Sequence, residues 1–510
     1  MKKTLRKTLC MILACALIGL TGCDLGDLAG GFSGGSQLGD GGNNAGNNGG
    51  QTGGNDGDDG AVVPLPEIPE APQEERVVLP QQFDFTPQAV TSQYGYRYFA
   101  GLENGEKFLR FYFDLYNACT GLTEDKDVPV TIESLTVSET EKVDVELYVL
   151  KKLDFKKYGL TQEEALAVWK TFRAEYPEFY WLNNEVIYSE SLLYLQVFEE
   201  YAKGSVRALL QDKIEKMAND CHSYLSPDMS AVEMALTVYD YVILNTHYAY
   251  IGNTDIPETA IWAHNLVGIA DKGKGVCETY AKAFEYLCSL IGMETITVTG
   301  QAGQTEQERY GHAWNMIKLD GVWYTVDTTW GDQEKIGFLY RDWFGGNKTE
   351  FDSTHVADLP IEYGIEWQYP LPAVAEKSIS PVRMQVGDTQ KVYACIDYAF
   401  ADIDDEQGVY TITLHPKTKV MEAEKNIQLH RTKVVMETAV LPKADTIKFI
   451  GMLSGNDTTP LDLRSVNGVT LWSNIELKDI AWTYPTMHKN GKNILTKGFA
   501  YYLADGQRKF

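Results

Sequence analysis

Cys277, His312 and Asp327 are the side chains of this 510-residue chain whose types and placement could together carry covalent chemistry. Cys277 follows Gly273-Lys274-Gly275-Val276 and opens the segment ETYAKAFEYLCSLIG. Cys277, Tyr280, Ala281, Phe284, Leu287, Cys288 and Ile291 share one helical face, so a helix is expected to start at the thiol. The first turn of a helix has backbone N–H groups without carbonyl partners and the positive end of the dipole. Both favour a thiolate there, and the N–H groups near it could stabilise an oxyanion. Gly275 would let the chain turn sharply before the helix. Cys288 lies deeper on the same face and reads as core.

A base for that thiol must come from another element. Glu294–Gly300 reads as a strand and residues 301–309 as an exposed loop, which could also gate the thiol. His312–Leu319 and Val322–Thr328 then flank Asp320-Gly321, a strong signal for a two-residue hairpin. If Leu319 pairs with Val322, Asp327 opposes Trp314 and His312 opposes Thr329. His312 and Asp327 then become diagonal neighbours on one face of the ribbon, within side-chain reach. A carboxylate so placed can fix the orientation of an imidazole and stabilise its protonated form.

The competing candidates are weaker. His222, His247, His264 and His355 have no such relation to a carboxylate and turn, and read as packing or surface residues. No H-e-x-x-H or paired C-x-x-C spacing is present, so neither a metal nor any other cofactor is expected. Asp402, Asp404, Asp405 and Glu406 lack the spacing of a calcium loop and read as a solvated turn.

GKGVCETYAKAFEYLCSLIGMETITVTG (273–300), GHAWNMIKLDGVWYTVDTTWGD (311–332) and FDSTH (351–355) resemble the transglutaminase-like superfamily, and within it the protease-like bacterial branch. The resemblance covers about a quarter of the chain. It implies a papain-like fold with Cys277 as nucleophile, His312 as base and Asp327 as orienting residue. It also implies that Trp330 and Gly331 follow the Asp strand near the site. A group supporting the oxyanion is expected upstream, where Trp262, His264 and Asn265 are weak candidates.

The rest of the chain places this segment. MKKTLRKTLC is basic, MILACALIGL is apolar but too short to span a bilayer, and Leu20-Thr21-Gly22-Cys23 resembles a bacterial lipoprotein box. Residues 1–22 are thus expected to be a signal peptide. Cys23 would carry the lipid that anchors the exported chain to the outer face of a bacterial membrane. Residues 23–82 form a spacer, with fifteen glycines between Gly26 and Gly60 followed by a proline-rich stretch. Residues 83–225 read as a helical or mixed domain and 226–372 as the catalytic domain. Residues 373–510 read as an all-β module, from runs such as RMQVG, KVYACIDYAF, VYTITLHP, IKFIGML, VTLWSN and GFAYYLADG. The expected class is α+β, a papain-like core between these two flanks.

A formal charge of −26 with no basic cluster beyond the leader excludes nucleic acid as the main partner. Of eight cysteines, two leave with the leader and Cys23 is the lipid site, which leaves an odd number for the folded body. The expected function is a cell-surface cysteine peptidase or amidase acting through an acyl-enzyme on protein or wall-peptide substrates, with cell-wall peptide or glycan as the expected partner. Acyl transfer between a glutamine and an amine is the first alternative. A non-catalytic module that binds peptide or glycan is the second.

Overall fold

A computed structural model of the chain describes residues 64–66, 77–138, 141–184, 187–188, 191–346, 351–358, 371–379, 381–403, 408–413 and shorter pieces between 421 and 509. The leader, Cys23 and the glycine-rich spacer lie outside the described residues. Among the described residues, no helix is long and apolar enough to cross a membrane.

The N-terminal region is mixed. Helices α1 (Tyr94–Ala100) and α2 (Glu106–Thr120) precede strands β1 (Thr131–Ser138), β2 (Glu141–Leu147) and β3 (Val149–Asp154) and helix α3 (Gln162–Glu175). A capping box starts α3, with the Thr161 hydroxyl accepting from the Glu164 N–H and the Glu164 carboxylate accepting from the Thr161 N–H. Strands β4 (Ile187–Tyr188) and β5 (Leu192–Gln196) then lead into α4 (Gly204–Tyr224). The tyrosines of this region pack inward: Tyr180 and Tyr201 meet edge-to-face at 5.4 Å, and both are buried with Trp181 and Tyr194. These side chains build core.

The second capping box, Ser230 with Glu233, opens α5 (Ala231–Leu244), every residue of which from Val232 to Ile243 is buried. Replacing Ser230 with Ala should therefore lower stability by about 1 kcal/mol, read as a shift in the urea midpoint with an unchanged slope. Short strands β6 (His247–Tyr248) and β7 (Lys274–Gly275) pair in parallel just before α6 (Cys277–Leu290). Helix α6 is buried on nearly all sides, including Glu278 and Glu285, and not only on the apolar stripe expected. Gly275 has ordinary backbone angles. Its role is space, because an added Cβ would lie 2.4 Å from the Cβ of Thr279.

Behind α6 lie β8 (Thr295–Ala302), β9 (Tyr310–Leu319) and β10 (Val322–Val326). After β10 come the single turn α7 (Thr328–Gly331) and strands β11 (Asp332–Gln333), β12 (Phe338–Tyr340), β13 (Phe344–Gly346) and β14 (His355–Ala357). The sheet has five strands in the order β13-β10-β9-β8-β14. Leu319 pairs with Val322 and Asn315 with Val326, the register expected from the turn. Asp320 and Gly321 both have positive φ, 51° and 78°, as a two-residue I′ turn requires.

Beyond Pro370 the described residues are mainly strands. β15 (Val382–Val386) and β16 (Thr389–Tyr393) form a hairpin, a short helix α8 (Ile396–Ala401) follows, and β17 (Val409–Thr413) pairs with β15. The second half of KVYACIDYAF is helical and not extended. Cys395, Ile396 and Ala399 bury at helical spacing, and no β-branched run continues after Tyr393. The run VTLWSN lies outside the described residues. β18 (Gln428–His430) leaves this region to pair in parallel with β12. The architecture is α+β: a mixed N-terminal region, a papain-like core and a β-rich C-terminal region.

Candidate active site

Helix α6 brings Cys277 to its first position, and Val276 before it anchors the entry by donating its N–H to the Ala263 carbonyl. Cys277 packs against Ala281 one turn on and Ala313 of β9. These two small side chains let the helix start approach the strand that carries His312. The thiol is fully buried, as are the four other described cysteines, none of which forms a disulfide.

His312 on β9 and Asp327 at the end of β10 meet as the hairpin register dictates: the ring's Nε2–H donates to Asp327 Oδ2 at 2.8 Å. The Cys277 thiol is a further polar neighbour of the ring, and Nδ1 makes no hydrogen bond within the ordinary distance limits among the described residues. With Nε2 committed to the carboxylate, Nδ1 is the nitrogen left to serve the sulfur. Burial would lower the His312 pKa, but the Asp327 charge and hydrogen bond outweigh it, with Cys277 adding to the rise. The imidazolium is thus held well above its ordinary range. Burial would likewise raise the Asp327 pKa, yet His312 and hydrogen bonds from two imidazoles hold that carboxyl well below its usual range.

The Asp327 carboxylate has no spare oxygen. Oδ1 accepts the N–H groups of Thr329 at 2.8 Å and Trp330 at 3.0 Å, so the side chain also caps α7. Oδ2 accepts from His312 and, at 3.0 Å, from His355 Nε2–H. His355 was expected to be a packing or surface histidine. Instead it reaches the central carboxylate from the edge strand β14, which pairs with β8 through His355 and Ala302. Nothing in its local spacing reveals this, since β14 joins the sheet by a contact 53 residues distant in sequence. The available signal was the motif FDSTH itself.

Trp330 and Gly331 do follow the Asp strand beside the site. Trp330 packs 4.6 Å from the His355 ring and 4.7 Å from Trp343. Gly331 lies against Tyr239 of α5, whose hydroxyl would be 1.9 Å from an added Cβ. Gly331→Ala should therefore cost about 1–3 kcal/mol of stability, seen as an earlier urea transition.

The three upstream candidates are engaged elsewhere. His264 bonds to Glu278 Oε2 at 2.6 Å through Nδ1 and to the Glu258 carbonyl at 3.1 Å through Nε2. Asn265 donates to the Ile261 carbonyl and accepts the Val267 N–H. Trp262 lies under the Lys274 ammonium at 5.7 Å. Glu278, next to Cys277, is buried but held ionised by Lys282, His264 and Arg173 against the cost of burial.

A cleft of about 960 Å³ leads to His312. Tyr248, Tyr250, Tyr310, Trp330, Tyr340 and Trp343 form much of its wall, and Asp255, Glu334 and Lys335 lie along the rim. Under the rim, Lys425 buries its ammonium against the carbonyls of Ile243 (2.9 Å) and Thr246 (2.6 Å) and against the Asp332 carboxylate. Asp332 also accepts from the hydroxyl of Tyr280, one turn after Cys277.

His312, Asp327 and His355 are also spaced as three metal ligands could be, with their donor atoms within 4.8 Å. Both imidazoles, however, direct an N–H to the same carboxylate oxygen, so the nitrogen lone pairs a metal needs are not presented there. Asp402 bonds to Lys391 and Tyr393, while Asp404, Asp405 and Glu406 lie outside the described residues.

Residues 217–328 match the model of the transglutaminase-like superfamily, an interval that includes Cys277, His312 and Asp327. The human and mouse kyphoscoliosis peptidases are 37% and 36% identical to the chain over 81 residues, 13% of this chain. The chain spans 12% of the length of these curated relatives. The core is thus similar in sequence to the transglutaminase-like superfamily over residues 217–328. Among solved structures, that of a TGase is 16% identical, with 29% of this chain and 43% of that chain covered and a TM-score of 0.21. The periplasmic domain of TgpA from Pseudomonas aeruginosa is also 16% identical, covering 23% of this chain and 42% of that one, with a TM-score of 0.18.

Proposed function

We propose that the chain is a cysteine hydrolase that cleaves an acyl or amide bond through Cys277, His312 and Asp327. The observation that carries this reading is His312 set between the Asp327 carboxylate and the Cys277 thiol, at the end of an open cleft. An imidazolium beside a thiol at a helix start favours the thiolate. The sulfur attacks the carbonyl carbon, and the proton on His312 passes to the departing amine as the C–N bond breaks. His312 then takes a proton from water, which adds to the thioester and expels the thiolate. Asp327 holds the ring in one tautomer through both steps.

Protein or wall-peptide substrates are the class proposed, and the aromatic wall of the cleft supports a peptide. An amine in place of water would make the same thioester the intermediate of acyl transfer. Export and lipidation at Cys23 would place the reaction at the outer face of a bacterial membrane. In that setting the spacer would hold the folded body away from the bilayer.

The test compares labelling of the cysteines by iodoacetamide at neutral pH, followed by mass spectrometry. All five described thiols are buried, so exposure alone does not separate them. Burial raises the pKa of Cys119, Cys221 and Cys288, which makes them poor nucleophiles. Cys277 should react first, and its labelling should disappear in His312→Ala. Labelling of Cys277 no faster than Cys395 would rule out the mechanism. A glutamine peptide supplied with and without a primary amine then separates transfer from hydrolysis.

A further inference from the structure

We infer that His355 is a positioning residue for the reaction, acting through Asp327 on the reactivity of Cys277. The inference rests on the proposed roles of Cys277, His312 and Asp327. His355 donates from Nε2 to the same carboxylate oxygen, Asp327 Oδ2, that receives the proton of His312. A carboxylate oxygen can only accept, so the proton on Nε2 is required by the contact itself. The other ring nitrogen, Nδ1, lies 2.8 Å from the Thr354 hydroxyl, which is also 3.2 Å from the Phe351 carbonyl. That hydroxyl can donate to Nδ1 or, turned toward the carbonyl, accept from it. The ring is thereby satisfied at both ends.

The ring is also held by packing. It is buried, with ring centroids of Phe351 at 4.5 Å, Trp330 at 4.6 Å, Trp314 at 5.1 Å and Trp343 at 5.7 Å. A polar ring placed in an aromatic cage costs desolvation free energy, which the bond to Asp327 offsets. The titratable groups around the carboxylate are His312 on β9, His355 on β14, Cys277 on α6 and Tyr239 on α5. Among these His355 joins His312 in a side-chain bond to the carboxylate, and it gives Oδ2 a second fixed donor.

The effect follows from hydrogen-bond chemistry. Donation from His355 favours the ionised carboxylate over the protonated form and fixes its rotation. Without it, Asp327 takes up a proton at higher pH and orients His312 less well. Formation of the thiolate–imidazolium pair then begins later on the acid side.

The experiment measures the iodoacetamide reaction rate of Cys277 against pH in the purified full chain, for the wild type, His355→Phe, His355→Gln and Thr354→Val. His355→Phe fills the cage but lacks the donor. Its reaction should slow by about 10-fold at neutral pH, and its acid limb should move up by about one pH unit. His355→Gln can return an N–H to Asp327 and should restore most of both. Thr354→Val loosens His355 without touching Asp327 and should shift the acid limb in the same direction by less. A role in stability alone would lower the urea midpoint of His355→Phe and leave the acid limb in place, and that result would overturn the inference. Equal impairment of His355→Gln and His355→Phe would overturn it as well, and this comparison stands even where His355→Phe folds poorly. A wild-type Cys277 that reacts no faster than Cys395 would defeat the underlying mechanism and this inference with it.

Discussion

Cys277→Ala is expected to lower kcat by roughly four to six orders of magnitude while leaving KM and the fold nearly unchanged. The magnitude follows from what loss of an activated nucleophile does where the chemistry proceeds through a covalent intermediate. The fold should survive because the exchange removes one sulfur from a pocket already lined by Ala281 and Ala313. The measurement is turnover of a reporter amide, read beside the urea midpoint. Retention of more than about a hundredth of the activity would point to a thiol-independent reaction. Peptide binding that is unaffected by the change, in a chain whose wild type has no turnover, would instead identify a binding module.

Asp327→Ala has the second largest expected effect, and it falls on stability and rate together. The carboxylate accepts four hydrogen bonds, from His312, His355, Thr329 and Trp330. Truncation leaves a buried imidazolium without its counter-charge and two backbone donors at α7 without an acceptor. A loss of about 3–5 kcal/mol is expected, together with a fall of about 10⁴ in kcat for want of the oriented ring.

The loss in stability depends on pH. Asp327 has its folded pKa lowered, so its contribution is present above the ordinary carboxylate value and is lost as pH falls through the folded one. His312 has its folded pKa raised, so its contribution is complete below the ordinary imidazole value and is lost as pH rises through the folded one. The gap between wild type and Asp327→Ala should be widest between those two ordinary values, about pH 4 to 6.5, and should narrow toward strong acid and strong alkali. Urea titrations at three pH values suffice to check it. A gap of the same size at every pH would show that charge plays no part in it.

His312 and Asp327 were legible as a pair because their meeting depends on local rules: a two-residue turn and a strand period of two, acting over sixteen residues. Cys277 was legible as a helix start for the same reason. The helix's fit to β9 was not, since Ala281 and Ala313 reveal their purpose only once the two elements touch. His355 is the clearest omission. Its partner is reached through the edge pairing of β14 with β8, a long-range contact that no local periodicity encodes. The oxyanion candidates failed for a related reason. His264 and Asn265 are polar groups near Cys277 in sequence, but they satisfy buried partners of their own. The helical ending of KVYACIDYAF shows composition losing to burial at helical spacing.

The contact of β18 with β12, and of Lys425 with Asp332, bears on how such a core can be exchanged between proteins. A segment that ends near Pro372 would keep every group proposed to react. It would nevertheless leave Asp332 as a buried carboxylate facing Tyr280, its cation gone, and β12 as an open strand edge beside the cleft. Grafted alone onto another anchor, the core would carry its chemistry with a loosened rim. Inheritance of the proposed site as a working cassette would therefore require the C-terminal strand β18 and Lys425 to travel with it.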